Sequence, residues 1–322
     1  MIIGKYSSWA RSAHFLLMLA IFSVTYVIFG CSSPDPTPTA VPTATPVVVV
    51  VTDALGQNVS FENIPTKIAT ISPTATEILY LVGGTSILRD RASTFPDQVK
   101  KVPDVGSAYN PSIETILTQR PDLVIIEALT QARFMGAFKE AGLKVMAVKA
   151  ETVDDIKTSI KNVGKAIGKE EVALEQIAEI SDRLATVGSE DDRTILMLIS
   201  DQDRNLYAAR PESYTGLIAT TLGLDNMAAG MPDAGPYPGF AIMSTEKILA
   251  SNPDIIITIT PAPAPAPRLS DSLVQIPPFR GLKAIISGNV IEADVELFLQ
   301  APGPRIVEAV EFLKERTSSD SS

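Results

Sequence analysis

Little reactive chemistry remains in this chain once its first 31 residues are set aside. The one histidine is His14, the one tryptophan is Trp9 and the one cysteine is Cys31. Beyond Cys31 there is no imidazole to act as a general base or zinc ligand, and no thiol to act as a nucleophile. A single cysteine cannot form an intrachain disulfide. Neither a Walker loop nor a dinucleotide glycine fingerprint is present. Asp and Glu pairs remain for acid–base work, but no spacing singles one out. These absences point to binding rather than turnover, so no catalytic residue, metal set or resident cofactor is expected.

Positive charge is also scarce. The chain has 27 Lys+Arg against 37 Asp+Glu, a formal net charge of −10. Removing residues 1–30 takes away Lys5 and Arg11 and no acid, leaving 25 against 37, or −12. Phosphate backbones need a basic footprint, so nucleic acid is not an expected partner. An acidic body is soluble and suits docking onto a basic surface.

What is present begins with targeting. Lys5 and Arg11 precede the apolar stretch 14–30, which ends at Cys31. The stretch is short for a span of ~20 residues and reads as a signal peptide. Ile28-Phe29-Gly30-Cys31 resembles a bacterial lipobox, which implies a lipid on Cys31, anchorage to the cell membrane and an extracytoplasmic location. Residues 32–46 (SSPDPTPTAVPTATP) form an extended Pro/Thr spacer.

Beyond the tether, strand and helix patterns alternate, which predicts an α/β fold with mainly parallel, covered sheets. A hairpin is expected over 47–61, a strand–loop–helix unit over 67–83, and a helix over 130–141. A long helix is expected over 170–187, which at 1.5 Å per residue spans ~27 Å. The final helix is expected over 304–316. The expected organisation is signal 1–30, tether 31–46, N-terminal lobe 47–169, linking helix 170–187, C-terminal lobe 188–316 and polar tail 317–322. Two irregular stretches, 227–239 and the Pro-Ala run 261–267, are expected as surface loops, the second a candidate cleft rim.

One motif occurs twice. Residues 112–126 read SIETILTQRPDLVII and residues 244–258 read STEKILASNPDIIIT. Each copy predicts a Ser N-cap, a short helix, a Pro-Asp turn and a buried strand. Two copies so far apart suggest two similar lobes rather than a solenoid. Aromatic residues and Arg in loops after strands, among them Tyr109, Tyr207, Tyr237, Phe240, Phe298, Arg91 and Arg210, suit a bulky, partly anionic ligand.

The order of short motifs is similar to that of one known family. Val51-Thr52-Asp53-Ala54-Leu55-Gly56, Ile68-Ala69-Thr70-Ile71-Ser72-Pro73-Thr74-Ala75-Thr76-Glu77, Val105-Gly106-Ser107 and the first repeat resemble the iron-siderophore/cobalamin class of ABC-transporter substrate-binding proteins. So do Pro278-Phe279, Leu282, Ala284-Ile285, Gly288, Val290 and Gly303-Pro304-Arg305-Ile306. The resemblance covers residues 51–316. It implies two α/β lobes joined by one long helix, a ligand between them, small closure and a monomer. By position it implies ligand contacts at Pro73, Arg91, Tyr109, Glu127, Tyr207, Arg210, Phe240 and Phe298; composition adds Tyr237. It further implies that Glu114 and Glu246, one per lobe, dock onto an ABC permease dimer.

An iron–siderophore complex is the expected ligand, with cobalamin and haem as alternatives. Lack of His removes one haem-iron ligand, and lack of Trp counts against a corrin platform. A ligand-sensing module and an envelope-anchored enzyme are the rival functions. For the anchor, labelled fatty acid is expected to enter the wild type and not Cys31→Ser; equal labelling of both would rule it out.

Overall fold

The computed structural model describes residues 48–188 and 191–318, within the compact unit Pro46–Ser322. The signal peptide, the Pro/Thr spacer, Cys31 and residues 319–322 lie outside the described residues.

The chain opens with the hairpin β1 (Val49–Thr52) and β2 (Asn58–Phe61). Asp53 shapes its turn by accepting the N–H groups of Leu55 and Gln57. Strand β3 (Ile68–Thr70) leads into α1 (Pro73–Leu81), capped by Ser72 with Pro73 at the first helical position. A small hairpin, β4 (Gly106–Ser107) and β5 (Asn110–Pro111), precedes α2 (Ile113–Gln119) and β6 (Leu123–Glu127). Then come α3 (Ala128–Gln131), α4 (Met135–Glu140), β7 (Val145–Val148) and α5 (Val153–Ala166). The sheet is parallel, in the order β3-β6-β7.

The helix expected over 130–141 is broken into α3, a 3-10 turn at Ala132–Phe134, and α4. Gln131 is the cause. Its backbone leaves helical φ at −117°. Its side chain accepts the Glu127 N–H and donates to the carbonyls of Ile71 and Ala108.

Helix α6 (Glu170–Val187) has the expected bounds and packs on α5. Gly164 permits that approach: a Cβ there would lie 2.4 Å from Ala173 Cβ.

The second lobe follows: β8 (Thr194–Ser200), β9 (Leu206–Ala209), α7 (Tyr214–Thr221), β10 (Asp225–Asn226), β11 (Phe240–Met243) and α8 (Thr245–Ser251). It ends with β12 (Ile255–Ile259), α9 (Leu269–Leu273), α10 (Lys283–Ile286), β13 (Val290–Ala293), a π-helical turn at Glu296–Gln300, and α11 (Ile306–Ser318). Strand order is β11-β9-β8-β12-β13, with β10 also on β8. Only β9 runs against the others. It follows β8 through a short turn, which permits a hairpin and no crossover.

Period-2 alternation divides the core. Leu123, Ile125, Met146, Ile195, Met197, Ile255 and Ile257 face one apolar layer. Val124, Ile126, Val145 and Ala147 face a second layer in the first lobe, and Leu196, Leu198 and Ile256 a third in the second lobe. The first layer runs through both lobes without interruption, under α1, α5, α6, α7 and α11. Both faces of each sheet are therefore covered.

One buried ion pair crosses between the lobes. Arg305, just before α11, donates to Glu77 of α1 through Nε (3.0 Å) and Nη2 (2.5 Å). The Glu77 side chain is only 3% exposed, so the pair is desolvated. Burial pushes its carboxyl up to about 7, against the pull of Arg305, with Glu308 and Glu296 adding to the rise. Arg305 also stacks 4.3 Å from the Phe95 ring centroid.

Two outcomes are expected. Above about pH 7, where Glu77 is ionised in the wild type, Arg305→Ala leaves that buried acid without its cation and lowers stability by ~3–5 kcal/mol, whereas the double change E77Q/R305M loses much less. The folded chain holds a proton on Glu77 that the unfolded chain releases near the ordinary value of 4.5. That stability is complete below about 4.5 and is lost as pH rises through about 7. Melting temperatures across this window are expected to fall in the wild type relative to Glu77→Gln; parallel curves would contradict it.

Candidate functional site

In the first lobe Pro73 and Glu127 lie at the C-terminal ends of the parallel strands β3 and β6, and Arg91 and Tyr109 lie in separate loops. Pro73 begins α1 after β3 and is half-buried. Arg91 follows the bridge segment 88–89. Its side chain is 74% exposed and lies 3.8 Å from Asp104. Tyr109 forms the tip of the β4–β5 hairpin and is 66% exposed.

Polar groups that the sequence reading did not single out hold these loops. Arg89 donates to the carbonyls of Val102, Asp90, Arg91 and Ser93. Thr70, Thr76, Ser93 and Asp90 form a buried hydroxyl–carboxyl chain. Burial raises the Asp90 carboxyl above its ordinary range. Gln131 joins the Tyr109 loop to the end of β3 through the Ala108 and Ile71 carbonyls.

Glu127 is differently engaged. Its two carboxylate oxygens accept the N–H groups of Leu129 and Thr130, at 2.9 Å each, and the Thr130 hydroxyl at 2.8 Å. It caps α3, and at 8% exposure it offers a ligand little surface.

In the second lobe four expected contacts converge. The β9–β11 register sets Phe240 opposite Ala209 and Ile242 opposite Tyr207. Tyr237 lies edge-on to Tyr207 at 5.3 Å and to Phe240 at 6.3 Å. Tyr207 donates to Asp201 at 2.9 Å, which pushes the Tyr207 hydroxyl above its ordinary range; Asp201 is held below the usual carboxylate range chiefly by the Asn205 side-chain amide, with the Tyr207 hydroxyl adding to it. Arg210 follows the end of β9. Its guanidinium meets Glu212 at 3.2 Å and Asp233 at 3.6 Å, and its buried Nε has no hydrogen-bond partner. Tyr207 and Phe240 are 4% and 3% exposed, so Tyr237 is the aromatic surface of this trio.

Phe298 is a correction. It sits in the π-helical turn, is fully buried and packs edge-on to Phe312 at 5.6 Å. Its side chain belongs to the core. The same turn reaches the first lobe through Glu296, which accepts the Thr94 hydroxyl at 2.9 Å.

The repeated motif folds the same way in both lobes. Ser112 and Ser244 accept the Thr115 and Lys247 N–H groups as N-caps of α2 and α8. Ile116 and Ile248 are each fully buried. Arg120 and Asn252 end the helices in left-handed conformation, at φ 48° and 38°. Asp122 then accepts the Thr66 N–H, the Thr66 hydroxyl and the Lys67 N–H, and these bonds hold it below the usual carboxylate range. Asp254 likewise accepts the Thr194 N–H and hydroxyl and is held low by them. Each Asp thereby ties its own strand, β6 or β12, to the start of the neighbouring β3 or β8. Glu114 and Glu246 are exposed in the first turns of their helices.

A family model for periplasmic binding proteins matches residues 68–297, from β3 to the π-helical turn. The chain belongs to the periplasmic binding protein family. An uncharacterised ABC-transporter substrate-binding lipoprotein of Bacillus subtilis is 26% identical, over 94% of this chain and 96% of its own. A cobalamin-binding protein of Halobacterium salinarum is 23% identical, over 80% of this chain and 70% of its own. Among solved structures, a petrobactin-binding protein of Bacillus subtilis superposes with a TM-score of 0.72 at 20% identity, covering 85% of this chain and 98% of that one. In this periplasmic binding protein the two lobes and long helix are thus those of a known two-lobed binding fold.

Gly216 holds the Arg210 loop in place. A Cβ there would lie 1.9 Å from the Arg210 carbonyl oxygen. Gly216→Ala is expected to displace that loop, cost ~1–3 kcal/mol and lower the melting temperature. Gly136→Ala, in helix α4 with nothing near its Cβ, serves as the control and is expected to be neutral or stabilising. Equal melting of both variants would show that the loop yields.

Proposed function

We propose that this chain is the lipid-anchored, extracytoplasmic solute-binding component of an ABC importer, holding a bulky metal-centred ligand between its lobes and handing it to a permease dimer. The duplicated α2 and α8 elements carry this reading. Each lobe sets an exposed Glu on a Ser-capped helix anchored by one buried Ile and one Pro-Asp clamp. A packing role accounts for one such Glu, but not for its repetition on separate lobes. A partner with two equivalent basic pockets accounts for both.

For the ligand, the surroundings of Arg210 support one choice. Two carboxylates already face its guanidinium, which leaves little positive potential for an anion. A large, weakly charged ligand with apolar faces suits the Tyr237 surface, and a corrinoid is such a molecule. The cobalamin-binding relative supports the same choice. A ferric siderophore is the second reading, favoured by Arg91, whose exposed guanidinium is only loosely matched by Asp104.

Two measurements test this. E114K/E246K is expected to abolish uptake while changing ligand Kd less than twofold; a proportional rise in Kd would assign these residues to the pocket instead. Tyrosine fluorescence of a chain starting at Cys31, which lacks Trp, is expected to be quenched by cyanocobalamin at submicromolar concentration and by ferric siderophores only far above that. The reverse order would leave the transport reading intact and replace its ligand.

A further inference from the structure

The repeated motif also carries a leucine that lies outside the three apolar layers. After the buried Ile116 and Ile248, each copy places a leucine, Leu117 or Leu249. They are 37% and 38% exposed. One exposed leucine is ordinary and carries no meaning. Two at matching positions of independent lobes, with matching exposure, are different.

Helix geometry relates them to the acids. Leu117 is three residues after Glu114, and Leu249 three after Glu246. Residues three apart share a helix face, about 60° apart around the axis. Ile116 and Ile248, two residues after each Glu, point the opposite way, into the core. Each lobe therefore shows the same paired surface, a carboxylate with a leucine one turn on. Neither Glu enters an ion pair among the described residues.

We propose that Leu117 and Leu249 are apolar contacts of the docking surface, each seated against an apolar wall beside the basic pocket that takes its Glu. This rests on the docking role proposed above for the two acids, and it assigns half of the contact to apolar burial. The charge of the surface favours a basic protein partner. Exposed carboxylates beside both leucines, on a body of net charge −12 without its first 30 residues, oppose contact with an anionic lipid surface. The division of labour follows: the acids steer and orient, and the leucines slow dissociation.

The test uses the full lipidated chain and a cognate permease–ATPase complex, held in nanodiscs of phosphatidylethanolamine and phosphatidylglycerol. L117S/L249S is expected to raise Kd at least tenfold, mainly through faster dissociation, with the salt dependence of association and the ligand affinity unchanged. E114K/E246K is expected to abolish steered association. L117A/L249A, which keeps more helix propensity, is expected to lie between L117S/L249S and the wild type. If both leucine doubles bind within twofold of wild type while E114K/E246K does not, the leucine assignment is overturned and the docking role of the acids stands. If neither class of variant changes binding, the docking reading fails and takes this inference with it. If the leucine variants lose affinity equally for nanodiscs lacking the permease, the contact is with lipid and the proposal is overturned.

Discussion

The Glu77–Arg305 pair is the interaction on which the arrangement of the two lobes depends. It ties the first helix of one lobe to the entry of the last helix of the other, across 228 residues of chain. Phe95 stacks on the same guanidinium, and Thr94 donates to Glu296 close by in sequence to that contact. Loop 94–95 is therefore tied to the second lobe by a cation–π contact and a hydrogen bond. A buried pair of this kind stabilises little relative to an apolar replacement, because desolvation offsets the Coulomb gain. Its effect is on geometry. An unpartnered charge at that depth is so unfavourable that lobe positions separating Glu77 from Arg305 are disfavoured.

The Pro-Asp clamps solve the same problem within each lobe. A parallel strand pair has no turn to set its register, unlike a hairpin. Asp122 and Asp254 supply it by binding backbone N–H and threonine hydroxyl groups at the start of the adjacent strand. Proline just before each Asp disfavours continuation of the helix, and the left-handed residue before the proline turns the chain. The helix carrying the exposed Glu is thus referenced to its sheet at both ends, by a buried isoleucine and by the clamp. Short helices of seven residues are marginal alone, so their orientation comes from these tertiary ties.

Much of this was legible in the sequence. The repeated motif points to two similar lobes, alternating strand and helix patterns to the parallel sheets, and apolar spacing to the helix at 170–187. Glu77 and Arg305 each fall within a motif of the family resemblance, but nothing in those motifs pairs them. A carboxylate inside the apolar run of α1 was the available signal, because such a residue requires a distant cation. The contact expected at Phe298 rests on its position in the family resemblance; position along the chain cannot tell an aromatic side chain turned into the core from one at a surface. Glu127 ended a strand in a favourable place, but the residues just after it, Leu129 and Thr130, claim its oxygens through their N–H groups. Gln131 was hidden for a similar reason. Its helix-breaking role depends on carbonyls 60 and 23 residues away.

The continuous apolar layer limits how the lobes can move. Ile78, Leu123 and Ile160 of the first lobe share it with Ile195, Ile257 and Ile306 of the second, all fully buried. A wide hinge opening exposes that layer to water at ~25 cal/mol per Å2, and it also separates Glu77 from Arg305. Neither loss is recovered by the open form. The motions compatible with the layer are small ones, together with rearrangement of loops that lie outside it. Those loops include the Arg91 and Tyr109 segments, whose side chains are already exposed. Ligand-dependent change is therefore concentrated at the ends of the strands, while the positions of Glu114 and Glu246 relative to each other stay nearly constant. On the docking role proposed for these two acids, a binding protein built this way presents much the same pair of points loaded or empty, so a partner must distinguish the two states through the loops between them.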